Sequence, residues 1–286
     1  MNLERDSAEN DWQDLEFILT PSLDNSFNLQ AFLDPIIDEL CGLGHRIEAS
    51  LPDFSYLPPA NFQAPIINWE QIQYICRSVS FRTQAGLEAN KLPINLSQDS
   101  FVAIGAFLGA CKVQEKKQVA FLYLDSRLNL SNFNKQANDS FMGILSLQKP
   151  EHESFLAGIN YTAIETPLLQ KPQIFQLGLC QASFARPDFC YYSSDMIEIY
   201  GLSQVLQELE ENLKKFEHVY IHWNMSCIQE YGLSSKQALQ IANWIDFKLR
   251  RKNRLLGLNL IGLQNEFMAR QLLLRILGAT YFNSGL

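Results

Sequence analysis

A chain of 286 residues with 47% hydrophobic and 19% charged side chains carries enough apolar material for a full core, which sets aside disordered and low-complexity readings. Its formal charge of −8 argues against a nucleic-acid partner, because that affinity is built from lysine and arginine neutralising phosphates. The longest apolar run, Phe101 to Cys111, is about half of the roughly 20 residues a bilayer requires.

In chain order, the first segment sets Glu4, Asp6, Glu9, Asp11, Asp14 and Glu16 against Arg5 alone. That is the wrong sign for a secretory signal peptide, and residues 1–14 read as a disordered acidic N-terminus. Short β-branched or aromatic runs then alternate with longer segments of helical period. The runs Leu15–Leu19, Ile47–Leu51, Leu92–Leu96, Val119–Asp125, Phe155–Ile159, Ile174–Leu179, Phe189–Tyr192, His218–Asn224 and Leu256–Gly262 are predicted strands. Such alternation predicts one α/β domain over residues 1–286, with a mostly parallel sheet of about eight strands in a three-layer α/β/α arrangement.

Between the strands, Leu40-Cys41-Gly42-Leu43-Gly44-His45 reads as a helix stop, and Pro52, Pro58, Pro59 and Pro65 mark an exposed loop. Leu202, Val205, Leu206, Leu209, Leu213 and Phe216 recur at helical spacing, with glutamates and lysines on the opposite face. Ser234 and Gln237 form a capping box that opens a helix running to Lys248, Arg250, Arg251, Lys252 and Arg254. Cations are favoured at a helix C-terminus, so that cluster reads as a solvated helix end. A last helix covers about Glu266 to Leu277. The six cysteines show no Cys-x-x-Cys pair and read as reduced, mostly buried thiols. A soluble protein of the cytoplasm is the expectation.

Ligands in open α/β sheets bind beyond the carboxyl ends of the strands. Three ends stand out: Leu96-Ser97-Gln98-Asp99-Ser100 before the apolar helix Phe101-Val102-Ala103-Ile104-Gly105, Phe121-Leu122-Tyr123-Leu124-Asp125-Ser126-Arg127-Leu128-Asn129, and Val219-Tyr220-Ile221-His222-Trp223-Asn224-Met225-Ser226. Asp99 at its strand-to-helix junction reads as an N-cap or a supporting acceptor. His222, Asn224 and Ser226 share one side of a strand by alternation, whereas Cys227 falls on the other, which works against a Cys227–His222 nucleophile and base pair. His45, His152 and His218 lack ligand spacing and read as surface histidines. Gly105 and Gly109 read as close-packing positions against the sheet.

The order, spacing and hydrophobic frame of these ends resemble the arginase, agmatinase and formimidoylglutamase (ureohydrolase) family from roughly Phe17 onward. In that family the first end reads Gly-Gly-Asp-His, the second Asp-Ala-His-x-Asp and the third Asp-x-Asp. A fourth end, Leu256 to Asn265, is similar to a late strand that carries an acidic start, a glutamate and an asparagine. The resemblance implies two manganese ions bridged by carboxylates and a hydroxide that attacks a guanidinium or amidine carbon. It places the six metal-ligand positions on Ser100, Asp125, Arg127, Asn129, Asn224 and Ser226, of which Asp125 alone keeps a ligand side chain. The substrate-binding glutamate falls on Gly262, and the histidine of the His-Gly step near Met142-Gly143.

One carboxylate cannot hold two dications, and an arginine in the ligand set repels them. The expectation is a pseudoenzyme with no cofactor and the manganese absent, with Arg127 standing in for a cation beside Asp125. A protein partner or a small polar ligand is expected, a homo-oligomer is compatible with the family's habit, and no nucleic acid or membrane is involved. The alternative is a hydrolase of a linear amidine or guanidine, such as arginine, agmatine or formimino-glutamate, with a remodelled site around Asp125, Arg127 and His222.

Overall fold

A computed structural model describes residues 14–20, 27–51, 57–59, 68–129, 138, 141–146, 150–160, 168–180, 188–228 and 232–279. Residues 1–13 of the acidic N-terminus, most of the proline-rich loop and residues 229–231 after the third strand end lie outside the described residues. The strands are β1 (Leu15–Thr20), β2 (Ile47–Ser50), β3 (Leu92–Ser97), β4 (Val119–Leu124), β5 (Ile174–Leu179), β6 (Cys190–Ser193), β7 (His218–Asn224) and β8 (Leu255–Ile261). All eight join one sheet in the order β2-β1-β3-β8-β7-β4-β5-β6, and every pairing is parallel. The expected sheet was mostly parallel; among the described residues it is wholly so.

Parallel strands need crossovers, and helices supply them on both faces. One face is covered by α1 (Leu29–Gly42), α7 (Leu202–Leu213), α8 (Ser235–Ile245) and α9 (Glu266–Ile276), whose apolar sides meet Phe17, Ile94, Leu122, Ile221 and Leu258. The other carries α2 (Trp69–Glu88), α3 (Val102–Val113), α4 (Phe141–Ser146) and α5 (Pro150–Asn160), packed on Phe121, Tyr123 and Tyr220. A short helix α6 (Ser194–Tyr200) follows β6. This is the three-layer α/β/α arrangement that alternation predicts.

Local sequence explains the element ends. Asn28 caps α1 by accepting from the Ala31 N–H at 3.1 Å, and Gly44, at φ 90°, turns the chain toward β2. The Ser234–Gln237 capping box forms as predicted, with bonds of 2.8 and 3.2 Å. After α8 the helix widens into a single π-type turn, Asp246–Arg250.

Five expectations are corrected. Phe155–Ile159 is not a strand but part of α5: His152, Phe155, Leu156 and Ile159 are its buried positions, a helical period behind Pro150. Gly105 and Gly109 pack against α2 and not the sheet, since a Cβ at either would lie 2.2 Å from Cys76 O or 2.4 Å from Ser80 O. Most of the basic cluster is not a solvated helix end. Arg250 and Arg251 bind the buried Asp246, Lys248 reaches Glu210 at 3.0 Å, and Arg254 donates to the carbonyls of Leu213, the last residue of α7, and of Phe216 beyond it. Of the histidines read as surface groups, His45 and His152 are buried; of the cysteines, Cys76 and Cys227 are buried and Cys41 is exposed.

The chain leaves β3 and skips two places to β4, and β7 and β8 later return to fill the gap. The carboxyl ends of β3, β8, β7 and β4 therefore stand side by side at the middle of the sheet. Asp125, Asn224 and Ser97 all emerge there.

Candidate functional site

Asp125 follows β4 directly and its side chain is fully buried. Three N–H groups hold it. The Arg127 main chain donates to Oδ1 at 3.0 Å, and the Asn129 and Asn224 amides donate to Oδ2 at 2.8 and 2.9 Å. Burial pushes the Asp125 carboxyl above its ordinary 3.8, while the Asn224 amide, the Arg127 N–H and the positive charge of Arg127 pull the other way. Asn129 reaches Asp125 because its backbone is left-handed at φ 47°, a conformation asparagine tolerates better than most residues.

The loop from Asp125 to Asn129 is clamped from below. Gln176, buried in β5 beside Tyr123, donates through Nε2 to the main-chain oxygens of Asp125 at 3.1 Å and Arg127 at 2.9 Å. The Tyr123 hydroxyl donates to the Arg127 carbonyl and accepts from Asn129 at 2.7 Å. Burial, then the Asp125 carboxylate, drives the Tyr123 pKa far upward, so this hydroxyl keeps its proton.

The other predicted positions fall into place around this knot. Asn224 uses Nδ2 on Asp125 and accepts the Ser226 N–H on Oδ1 at 3.0 Å, capping a short 3-10 turn, Met225–Cys227. Ser226 thus joins the group through its backbone, and its Oγ is buried without a partner. Gly262 lies against Asn224: at φ 68° a side chain would be strained, and its Cβ would sit 3.0 Å from Asn224 Oδ1. Arg127 is exposed at the rim, and its main chain is what grips the carboxylate.

Ser100 and Asp99 belong to the neighbouring turn into α3. Asn138 ties that turn together, donating to Asp99 Oδ1 at 2.8 Å and accepting the Phe101 N–H at 3.2 Å. Asp99 is therefore an acceptor for a second loop, and no side chain caps α3. Met142 of α4 is fully buried, in the apolar cluster that also holds Phe141 and Tyr123.

His222 shares a strand face with Asn224, one step deeper, and is wholly buried. Phe121, Tyr123 and Phe141 surround its ring with centroids 6.4, 5.9 and 4.8 Å away, and burial lowers its pKa to about 3. It is a neutral imidazole across the physiological range. The strand has ended before Cys227, so alternation does not place it; it packs in the core cluster of the other face, burial pushes its thiol pKa up, and no Cys227–His222 pair forms.

Tyr123, Gln176 and Asn138 were not singled out in the sequence. For the first two a signal existed. Gln176 interrupts the apolar run Ile174–Leu179, and Tyr123 precedes Asp125 by two, which puts both on one face.

The donor set can be weighed against metal chemistry. Hard dications call for several carboxylates or imidazoles. The six positions named by the sequence resemblance supply one carboxylate, two amides, two hydroxyls and a guanidinium, and the carboxylate already accepts three N–H groups. Among the described residues no group of three or more His, Cys, Asp or Glu side chains could hold a metal ion. As a donor set these six side chains offer fewer anionic and imidazole ligands than two manganese ions call for. No described helix is long and apolar enough to cross a membrane.

Comparison with known proteins agrees on the scaffold. Residues 45–231 match the sequence model of the arginase family. An arginase from Bacillus subtilis superposes with a TM-score of 0.75 at 13% identity, covering 93% of this chain and 99% of that one. The Entamoeba histolytica arginase in complex with L-ornithine gives 0.70 at 10% identity, covering 94% and 99%. A formimidoylglutamase from Bacillus subtilis gives 0.67 at 13% identity, covering 94% and 87%. No curated protein sequence matches.

Proposed function

The chain belongs to the arginase family, and we propose that it is a member without the two-metal centre, acting as a binding, regulatory or interaction protein. The observation that carries this reading is the state of Asp125. In a metal enzyme a carboxylate at this position spends its lone pairs on cations. Here three N–H groups take them, two from asparagine amides standing at other ligand positions. Amide nitrogens do not ligate hard dications, and turning the amides to present oxygen would strand the buried carboxylate. The arginine at a fourth position adds a fixed positive charge to the same loop.

Fold alone does not decide activity, so hydrolysis is tested directly. Purified protein is incubated with manganese and, separately, arginine, agmatine and formimino-glutamate, with urea or formamide release as the readout. Product formation no faster than in protein-free controls is expected. Turnover of any of the three that depends on this protein, and is lost in Asp125→Ala, would establish a remodelled hydrolase instead.

A further inference from the structure

Beneath the Asp125 group, on the same face of the sheet, lies a second polar layer. Asn95 of β3, Asn259 of β8 and His222 of β7 are register partners on three adjacent strands, and all are fully buried. The Tyr220 hydroxyl bonds two of them, accepting from Asn95 at 3.3 Å and donating to Asn259 at 3.0 Å. Four atoms of this row have no hydrogen-bond partner: Asn95 Oδ1, Asn259 Nδ2 and both ring nitrogens of His222.

Leaving such atoms unpaired costs about 1–3 kcal/mol each, which is why buried polar groups are almost always satisfied. The missing partners have a definite character. Asn259 Nδ2 donates, Asn95 Oδ1 accepts, and a neutral imidazole does one of each. A single small molecule that both donates and accepts would meet these needs. His222 is closed off toward β4 and α4 by Phe121, Tyr123 and Phe141, so its polar approach is from the β8 side, where Asn259 stands.

We infer that the β3-β8-β7 row is an internal water site, with ordered water bridging His222 to Asn259 under the floor of the Asp125 group. Buried waters typically take two to four polar partners, and this row offers that number within one layer. The site goes beyond the proposed function: it rests on the lower layer alone and holds whatever the upper layer binds.

The test is a crystal structure of the full chain at a resolution that shows ordered solvent, paired with the stability of His222→Phe. Water within about 2.7–3.2 Å of a His222 nitrogen and of Asn259 Nδ2 is expected. His222→Phe would then strand Asn259 and raise the unfolding equilibrium constant about tenfold near pH 7. A dry imidazole, or one bonded directly to Asn259, overturns the site. A His222→Phe protein more stable than wild type overturns it too, because removing two unpaired nitrogens from a dry box is favourable.

Discussion

Two polar layers share one face of the sheet, a single strand step apart, and they solve the problem of burial differently. In the upper layer a charged group is kept by supplying it with donors: Asp125 receives three, and Tyr123 and Gln176 fix the loop that delivers them. In the lower layer His222 stays neutral among aromatic rings, and its neighbours Asn95 and Asn259 share one tyrosine hydroxyl. The contrast shows where this chain has invested in a specific geometry. That place is the loop after β4, at the carboxyl end of the sheet.

The largest effect is expected on removing a donor from the upper layer. Asn224→Leu leaves Asp125 Oδ2 one amide short in a buried setting and should cost about 2–3 kcal/mol in chemical denaturation at neutral pH. A cost near zero would mean that the knot is not what holds the carboxylate.

The second prediction concerns acid. His222 is lowered to about 3 from 6.5, so between those values the unfolded chain binds more protons, and stability falls as pH falls through that window. Between about pH 8 and pH 5 this alone removes about 2 kcal/mol, and His222→Phe should flatten that slope. An unchanged slope would show that the imidazole is reached by solvent.

Smaller again is Gln176→Leu, which takes a donor from two main-chain carbonyls at once. About 1–2 kcal/mol is expected, together with faster amide hydrogen exchange at residues 126–129. Equal protection in the variant would break the assignment of Gln176 as the clamp.

The smallest effect has the opposite sign to that of His222. Asp125 is raised above 3.8 by burial, so the folded chain binds its proton more tightly than the unfolded one. Its contribution to stability is therefore fullest at low pH and declines as pH rises from 3.8 through the folded value. The stability of Asp125→Asn relative to wild type should shift in favour of the variant over that window.

The sequence disclosed the alternation, and with it the layered parallel sheet, because strands buried on both faces read as continuous apolar runs. It misassigned Phe155–Ile159 because an apolar stretch of five residues does not reveal its period without His152 and Pro150 in view. At the site, the family resemblance put Asp125, Arg127, Asn129 and Asn224 in one group, but it did not give their roles. The Arg127 charge does act on Asp125, but the hydrogen bonds come from the Arg127 main-chain N–H and two asparagine amides. A backbone donor has no side-chain signature. Gln176 did leave a mark, an amide inside an apolar run, but its partners are carbonyls 51 and 49 residues away, which no local pattern names.

The central claim is that the aligned ligand positions no longer bind the family's metals. It is tested most directly by equilibrium dialysis of the purified, chelator-treated protein against manganese, followed by metal analysis. No stoichiometric manganese should be retained, and Asp125→Ala should be indistinguishable from wild type. Two manganese ions per chain, lost in Asp125→Ala, would contradict the account.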